Sequence, residues 1–270
     1  VPFTVSHAAA VLPLVRADGT GRGPLLASAL VAGSFAPDVP FYADTLVGGV
    51  YGFGSFTHTP WGLLTVDVLL TAALLALWWL LREPLLALVP GRYRGGVAAY
   101  LIGTGWRQRS WPALAGAFWL SAVVGAATHV GWDSFTHEGR AGVRAFPTLE
   151  RTAVGHPLHR WAQYGGSALA LGLIAWCGAR AVRRLSQTPV PERVPRLSPG
   201  GSALACTGVL VLAVAAAGYR CVTVPPTGVF AWVSTVLFGA GAGLTAGLVL
   251  FALTVRLRRG EQRSRSALGP

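Results

Sequence analysis

Long apolar runs broken by short Arg-, Pro- and Gly-containing stretches make up most of this chain. Five of the runs, about 62–81, 112–132, 164–182, 203–219 and 229–255, reach or approach the roughly 20 residues that a helix needs to cross the hydrocarbon of a bilayer. Two shorter runs, about 5–15 and 24–36, cannot span and predict interfacial or re-entrant helices. The pattern therefore predicts an all-α, polytopic helical membrane protein, with about five transmembrane helices preceded by two short N-terminal ones. Pro189, Pro191, Pro195 and Pro199, set among Ser, Arg and Glu, mark a linker between the third and fourth spans. The expected organisation is a membrane domain over 1–182 with the first three spans, a Pro-rich cytoplasmic linker over 183–202, a transmembrane hairpin over 203–256 and a basic cytoplasmic tail over 257–270.

Composition agrees with this pattern and adds an orientation. The chain is 53% hydrophobic and only 12% charged, against about a quarter charged in soluble domains. All 22 basic residues are arginine, with no lysine and no methionine, the bias of a GC-rich bacterial genome. A net charge of +12 would suggest nucleic acid for a soluble protein. Here the arginines gather beside the spans (Arg180, Arg183, Arg184; Arg256, Arg258, Arg259, Arg263, Arg265), so anionic lipid headgroups are the expected partner, and nucleic acid is not. The residues point to no particular protein partner. Counted by alternating loops, fifteen arginines lie on the side of the C-terminus and seven on the other, which places the C-terminus in the cytoplasm of a cell membrane. All six histidines (His7, His58, His129, His137, His156, His159) then fall on the extracytoplasmic side, together with Asp38. The three cysteines show no CxxC spacing and read as small packing residues.

The segment Thr128–His137 carries the strongest chemical signal. His129 and Asp133 are four residues apart, so on a helix they share one face and can converge on one cation. His137 lies about 12 Å further along a straight helix and could not reach the same ion. Either the helix ends before His137, or that residue serves a second ion or the outer shell. His7 follows Ser6, a plausible N-cap. Asp38 stands between Pro37 and Pro40, where an Asx-type turn is an alternative role. His58 immediately precedes the first span, at headgroup depth. Asp67 lies inside that span, where a carboxylate is costly, and serves either as outer shell to His58 or as partner to a neighbouring helix. His156 and His159 read as surface residues. Mixed His and Asp ligands without thiolate suit zinc first, with manganese or iron as alternatives. Gly239, Gly243 and Gly247 read as a helix-packing stripe. The third to fifth spans carry almost no ionisable side chain, which argues against a transport path through them.

The stretches PFTVSHAAAVLPL, GSFAPDVPFY, FTHTPWGLL, GAATHVGWDSFTHEG and AQYGGSALALG resemble, in that order, a bacterial membrane-protein family of unknown function whose members open with a Pro-Phe-Thr-x-Ser-His motif. The resemblance covers about residues 1–175. More distantly, the order His, Pro-Asp, Thr-His, His-x-x-x-Asp is similar to that of membrane-bound metal-dependent hydrolases. This implies His7, Asp38, His58, His129 and Asp133 as metal ligands. Where those hydrolases carry a second acidic residue after Pro-Asp, this chain has Val39-Pro40, which speaks against a binuclear site. The expected function is a divalent-metal-dependent hydrolase acting on a lipid-linked ester or phosphoester at the outer membrane–water interface. His137 and Asp67 are its candidate proton-handling or outer-shell residues. A non-catalytic metal-binding scaffold is the alternative.

Overall fold

The computed structural model describes residues 3–102, 109–185 and 187–267, the last eight of these through their backbone alone. Pro2 of the opening motif, Arg107 and the side chains of Arg263 and Arg265 lie outside the described residues. Helix dominates. In chain order, α1 (Thr4–Leu14) and α2 (Ala27–Gly33) are the short N-terminal helices, followed by α3 (Val39–Val47), α4 (Gly54–Thr57) and α5 (Pro60–Leu64). Then come α6 (Val66–Leu88), α7 (Gly91–Leu101), α8 (Trp111–Thr136), α9 (Ala141–Ala145), α10 (Leu158–Arg184), α11 (Pro199–Thr223) and α12 (Val229–Ala267). Five of them, α6, α8, α10, α11 and α12, are long and apolar enough to cross a membrane. The only sheet among the described residues is a two-residue hairpin, Thr152–Ala153 against His156–Pro157.

The spans run past the ends of their apolar runs. Hydropathy stops at the first charge, but the backbone ladder continues, so α6 keeps Arg82, Glu83 and Pro84. The helix α7 forms where the pattern predicts a loop. Its glycines hide it: a Cβ on Gly95 would strike the Thr188 carbonyl, and one on Gly96 those of Val182 and Leu185.

Two compact units can be described separately. The first comprises Val1–Asp44, Gly49–Leu75 and Gly103–Ala181. Its central packing sets α2 against α8. Gly33 lies against the Ala122 carbonyl and Gly125 against the Leu30 carbonyl, so two helix backbones approach as only small residues allow. The α2 start is fastened to α8 by the Leu26 N–H, which donates to Ser121 Oγ at 2.8 Å. The Trp119 indole donates to the Leu64 carbonyl at 3.2 Å and ties α8 to α5.

The second unit comprises Thr45–Gly48, Ala76–Ile102 and Val182–Pro270. Here α11 and α12 form a close hairpin in which Gly239, Gly243 and Gly247 face Ala217, Ala213 and Val209, the packing stripe expected from their spacing. Pro84 lacks the N–H that would satisfy the Leu80 carbonyl, four residues earlier. Arg256 supplies the donor instead, with Nε to Leu80 O at 3.1 Å and Nη2 to Trp79 O at 2.9 Å. The Pro-rich segment before α11 is packed: Val194 is buried with Leu86 and Ala98. Arg220, counted by sequence among loop arginines, is instead buried within α11 and donates to Thr45 Oγ1 at 3.0 Å.

The glycine contacts define a paired test. Gly125→Val is expected to cost at least about 2 kcal/mol, lowering the melting midpoint in detergent by about 5 °C or more. Gly116→Val on the same helix, where an added Cβ meets nothing, is expected to leave the midpoint unchanged.

Candidate metal centre

Each cluster residue is placed by a local feature of the first unit. On α8, His129 and Asp133 share the buried face that also carries Ala122, Gly125 and Ala126, so the small residues that admit α2 also bring the two side chains inside. Asp38 ends the 3-10 turn Ala36–Asp38 that follows α2. Its Oδ2 accepts from Thr4 Oγ1 at 2.5 Å, so the side chain reaches across to the N-terminal segment and does not close an Asx turn. His58 follows α4, and the preceding Thr57 Oγ1 donates to the Pro37 carbonyl at 2.7 Å, joining the His58 loop to the Asp38 turn.

The imidazoles are oriented by backbone carbonyls. His58 Nδ1 lies 2.7 Å from Gly54 O, and His129 Nδ1 lies 2.8 Å from Ser34 O. A carbonyl oxygen can only accept, so both Nδ1 atoms carry the proton and both Nε2 atoms are left to face the cluster. There His129 Nε2 sits 3.4 Å from Asp38 Oδ1 and 3.5 Å from Asp133 Oδ2; His58 Nε2 sits 3.8 and 3.6 Å from the same two oxygens. All four of these atoms are buried and lack a hydrogen-bond partner, and all lie within 4.8 Å of one another. Four ligands held tetrahedrally at about 2.0–2.1 Å from a zinc ion would stand about 3.3 Å apart. Two His nitrogens and two carboxylate oxygens, aimed at one point and satisfied by nothing else, form a group that could hold a divalent metal ion.

The second oxygen of Asp133 faces a different pair. Oδ1 lies 3.6 Å from His7 Nε2 and 3.4 Å from His137 Nδ1. His7 stacks on His129 with ring centroids 3.7 Å apart and planes 17° apart. His137 comes this close because α8 ends at Thr136: the residue is extended, with φ −124° and ψ 134°, and its ring folds back over the last turn. The helix thus ends before His137, the first of the alternatives that the spacing left open. The His137 ring also meets Thr136 Oγ1 at 3.1 Å, the Asp133 carbonyl at 3.3 Å and Gln163 Nε2 at 3.0 Å.

Burial pushes the His7 imidazole down to about 3 and the His137 imidazole down to about 4. Both rings are therefore neutral at pH 7, as a ligand or proton acceptor must be. Burial also works to raise the Asp38 carboxyl, but in the ion-free state the protonated His129 imidazolium beside it outweighs that and holds it below the usual carboxylate value.

Asp67 is fully buried in the first turn of α6, and neither carboxylate oxygen has a hydrogen-bond partner. Among the described residues it makes neither the bond to His58 nor the pairing to a neighbouring helix that its sequence position suggests, although it lies within Coulombic reach of His129 and Asp38. The surface reading of His159 is corrected: the side chain is buried, because Pro157 ends the hairpin and His159 sits in the first turn of α10, facing inward. His156 is half-buried beside Trp161. Several contributors had no readable signal. The Ser34 and Gly54 carbonyls are backbone atoms that any residue supplies, and Thr4 and Gln163, although within the family-like stretches PFTVSHAAAVLPL and AQYGGSALALG, carry no chemical signal of their own until the fold brings them to the cluster.

These features define a class: a polytopic helical membrane protein with a buried His/Asp cluster that could bind metal. The chain belongs to the family described as Domain of unknown function DUF4184, whose model matches residues 1–253. No curated protein and no solved structure matches it.

Two pH effects follow. In ion-free protein, His7 and His137 have folded pKa values below the ordinary 6.5, so the unfolded chain binds more protons than the folded one between about pH 4 and 6.5. Stability is expected to be intact above pH 6.5 and to fall as pH drops toward 4, read as a lower melting midpoint at pH 5 than at pH 7 in the presence of EDTA. Metal binding must displace whatever protons compensate the buried carboxylates. Zinc affinity is therefore expected to rise with pH, and calorimetry in buffers of different ionisation enthalpy should register net proton release.

Proposed function

We propose that this chain is a membrane-embedded, metal-dependent hydrolase acting at the extracytoplasmic membrane–water interface on a lipid-linked ester or phosphoester. The observation that carries the reading is the convergence of four buried donor atoms, Asp38 Oδ1, His58 Nε2, His129 Nε2 and Asp133 Oδ2, none with a hydrogen-bond partner. Two carboxylates and two imidazoles, each neutral once an ion has displaced its Nε2 proton, would suit a divalent ion, zinc first and manganese or iron next. An ion held there would supply a Lewis acid and a bound water of lowered pKa.

The protein's own residues account for the rest. Asp133 holds the ion side with one oxygen and the His7/His137 pair with the other. His137 has the more accessible side chain, 23% exposed against 4% for His7, and is steadied by Gln163. That makes it the proton carrier between cluster and solvent. Asp67 is a second, deeper proton-holding group. His129 and Asp133 lie in the last two turns of α8 and Asp67 in the first turn of α6, so the chemistry falls at span ends. Exposed Trp132, Phe135 and Phe146 surround the end of α8, a composition suited to the headgroup level, where a substrate anchored by acyl chains presents its ester.

A metal-stabilised scaffold is the second reading, favoured by one specific feature. Four protein donors with nearly complete burial are the pattern of closed structural sites.

Metal content by plasma mass spectrometry, paired with lipid phosphoester hydrolysis, separates the two. The hydrolase reading expects stoichiometric metal in the wild type, lost in His129→Ala and Asp133→Ala, and hydrolysis abolished by EDTA. His137→Ala should retain metal and lose at least about 100-fold in rate. The scaffold reading expects the same metal content and a large EDTA-induced drop in melting midpoint, with no hydrolysis. Folded wild type that takes up no ion after incubation with each metal would sink both.

A further inference from the structure

Charge is divided unevenly between the two units. The second holds thirteen arginines against three glutamates, a formal +10 of the chain's +12, whereas the first, with the His/Asp cluster, holds nine arginines against seven acids. Within the second unit several arginines are tied by contacts near the end of α6, the segment before α11 and the end of the apolar part of α12. Arg94 donates to the Ala87 and Val89 carbonyls at the end of α6. Glu83 pairs with Arg193 at 3.7 Å and with Arg256 at 3.8 Å. Arg259, near the end of the apolar part of α12, donates to the Arg193 carbonyl. Arg220 is the exception, buried toward the other end of α11 and engaged with Thr45.

Two further observations point to what these segments meet. Trp79 and Tyr93 are exposed, with Arg82 5.7 Å over the first ring and Arg92 4.6 Å over the second. Exposed aromatics beside guanidinium groups mark headgroup depth. Meanwhile Arg196 and Arg258 are exposed and make no hydrogen bond or ion pair among the described residues. Their donors are open, while the carboxylate of Glu83 is already taken by Arg193 and Arg256.

We propose that the arginine-rich segments of the second unit bind anionic phospholipid headgroups, with Arg196 and Arg258, sequence neighbours of the fixed Arg193 and Arg259, as direct phosphate donors. Fixing two guanidinium groups by backbone and carboxylate contacts lowers the ordering cost for the lipid, and the open pair supplies the forked donors that suit phosphate oxygens. The proposal concerns the unit that lacks the metal cluster and does not depend on the hydrolase reading.

The test uses the full chain in neutral detergent, titrated with phosphatidylglycerol or phosphatidylcholine and read by native mass spectrometry. Phosphatidylglycerol is expected to bind at least about tenfold more tightly, and raised salt should reduce the difference. The double variant Arg196→Gln/Arg258→Gln removes two exposed, unpaired groups, so it should melt as the wild type does while losing about tenfold in phosphatidylglycerol affinity. Arg196→Lys/Arg258→Lys should recover most of that loss. Equal affinity for the two lipids, or an unaltered Gln variant, overturns the proposal. Displacement of the lipid by inorganic phosphate alone also overturns it, and would reassign the segments to free anions.

Discussion

Two carboxylates stripped of water inside an apolar helical unit need positive charge within contact distance, and the arrangement around Asp38 and Asp133 follows from that need. A buried ionised carboxylate with an unsatisfied oxygen is far more costly than a missing neutral hydrogen bond. Each carboxylate here has one oxygen aimed into the shared space and unsatisfied by any hydrogen bond. Protons or a divalent ion can supply the compensation, and the two compete. Both facing imidazoles give one proton to a backbone carbonyl on the far side of the ring, which leaves each Nε2 free to take up either a second proton or an ion at the shared space.

Holding that arrangement requires rigidity from residues that carry no chemistry. The Ser34 carbonyl orients His129, and Ser34 is positioned by α2, which can approach α8 only because Gly33 and Gly125 lack side chains. Thr57 links the His58 loop to the Pro37 carbonyl, and Thr4 takes up the second oxygen of Asp38. The short N-terminal helices are thus parts of the site. A bulky residue at the α2–α8 contact would reach the cluster by moving the Ser34 carbonyl, without touching a ligand.

Much of this was legible in the sequence, for identifiable reasons. Long apolar runs fix spans because a bilayer leaves the backbone few alternatives. The spacing of His129 and Asp133 sets a shared helix face, Asp38 stands out between prolines at the end of an apolar run, and Asp67 stands out as a carboxylate inside a span. What was not legible depended on chain direction changes and on atoms common to all residues. His137 reaches Asp133 because the helix stops at Thr136, a boundary that apolar periodicity cannot locate. The carbonyls that orient the imidazoles have no sequence signature. Helix α7 was hidden because its glycines serve close backbone packing, whereas glycine in a sequence reads first as a break. Arg220 was misplaced because loop counting treats every arginine near a span end as solvated, while this one is buried and bonded to Thr45.

The two oxygens of Asp133 separate functions that a single residue would otherwise confound. Oδ2 belongs with Asp38, His58 and His129, and Oδ1 faces His7 and His137. A cation held at one oxygen would draw electron density from the other and weaken it as a hydrogen-bond acceptor, so the charge state of the cluster would reach the His7/His137 pair through one carboxylate. His137 in turn reaches Gln163 on α10, which joins the end of α8 to a third element. Residues on the Oδ1 side would therefore sense an ion held at Oδ2 through this carboxylate. An amide in place of this carboxylate keeps the shape but presents one oxygen and one N–H group, and so can serve as acceptor on only one of its two faces.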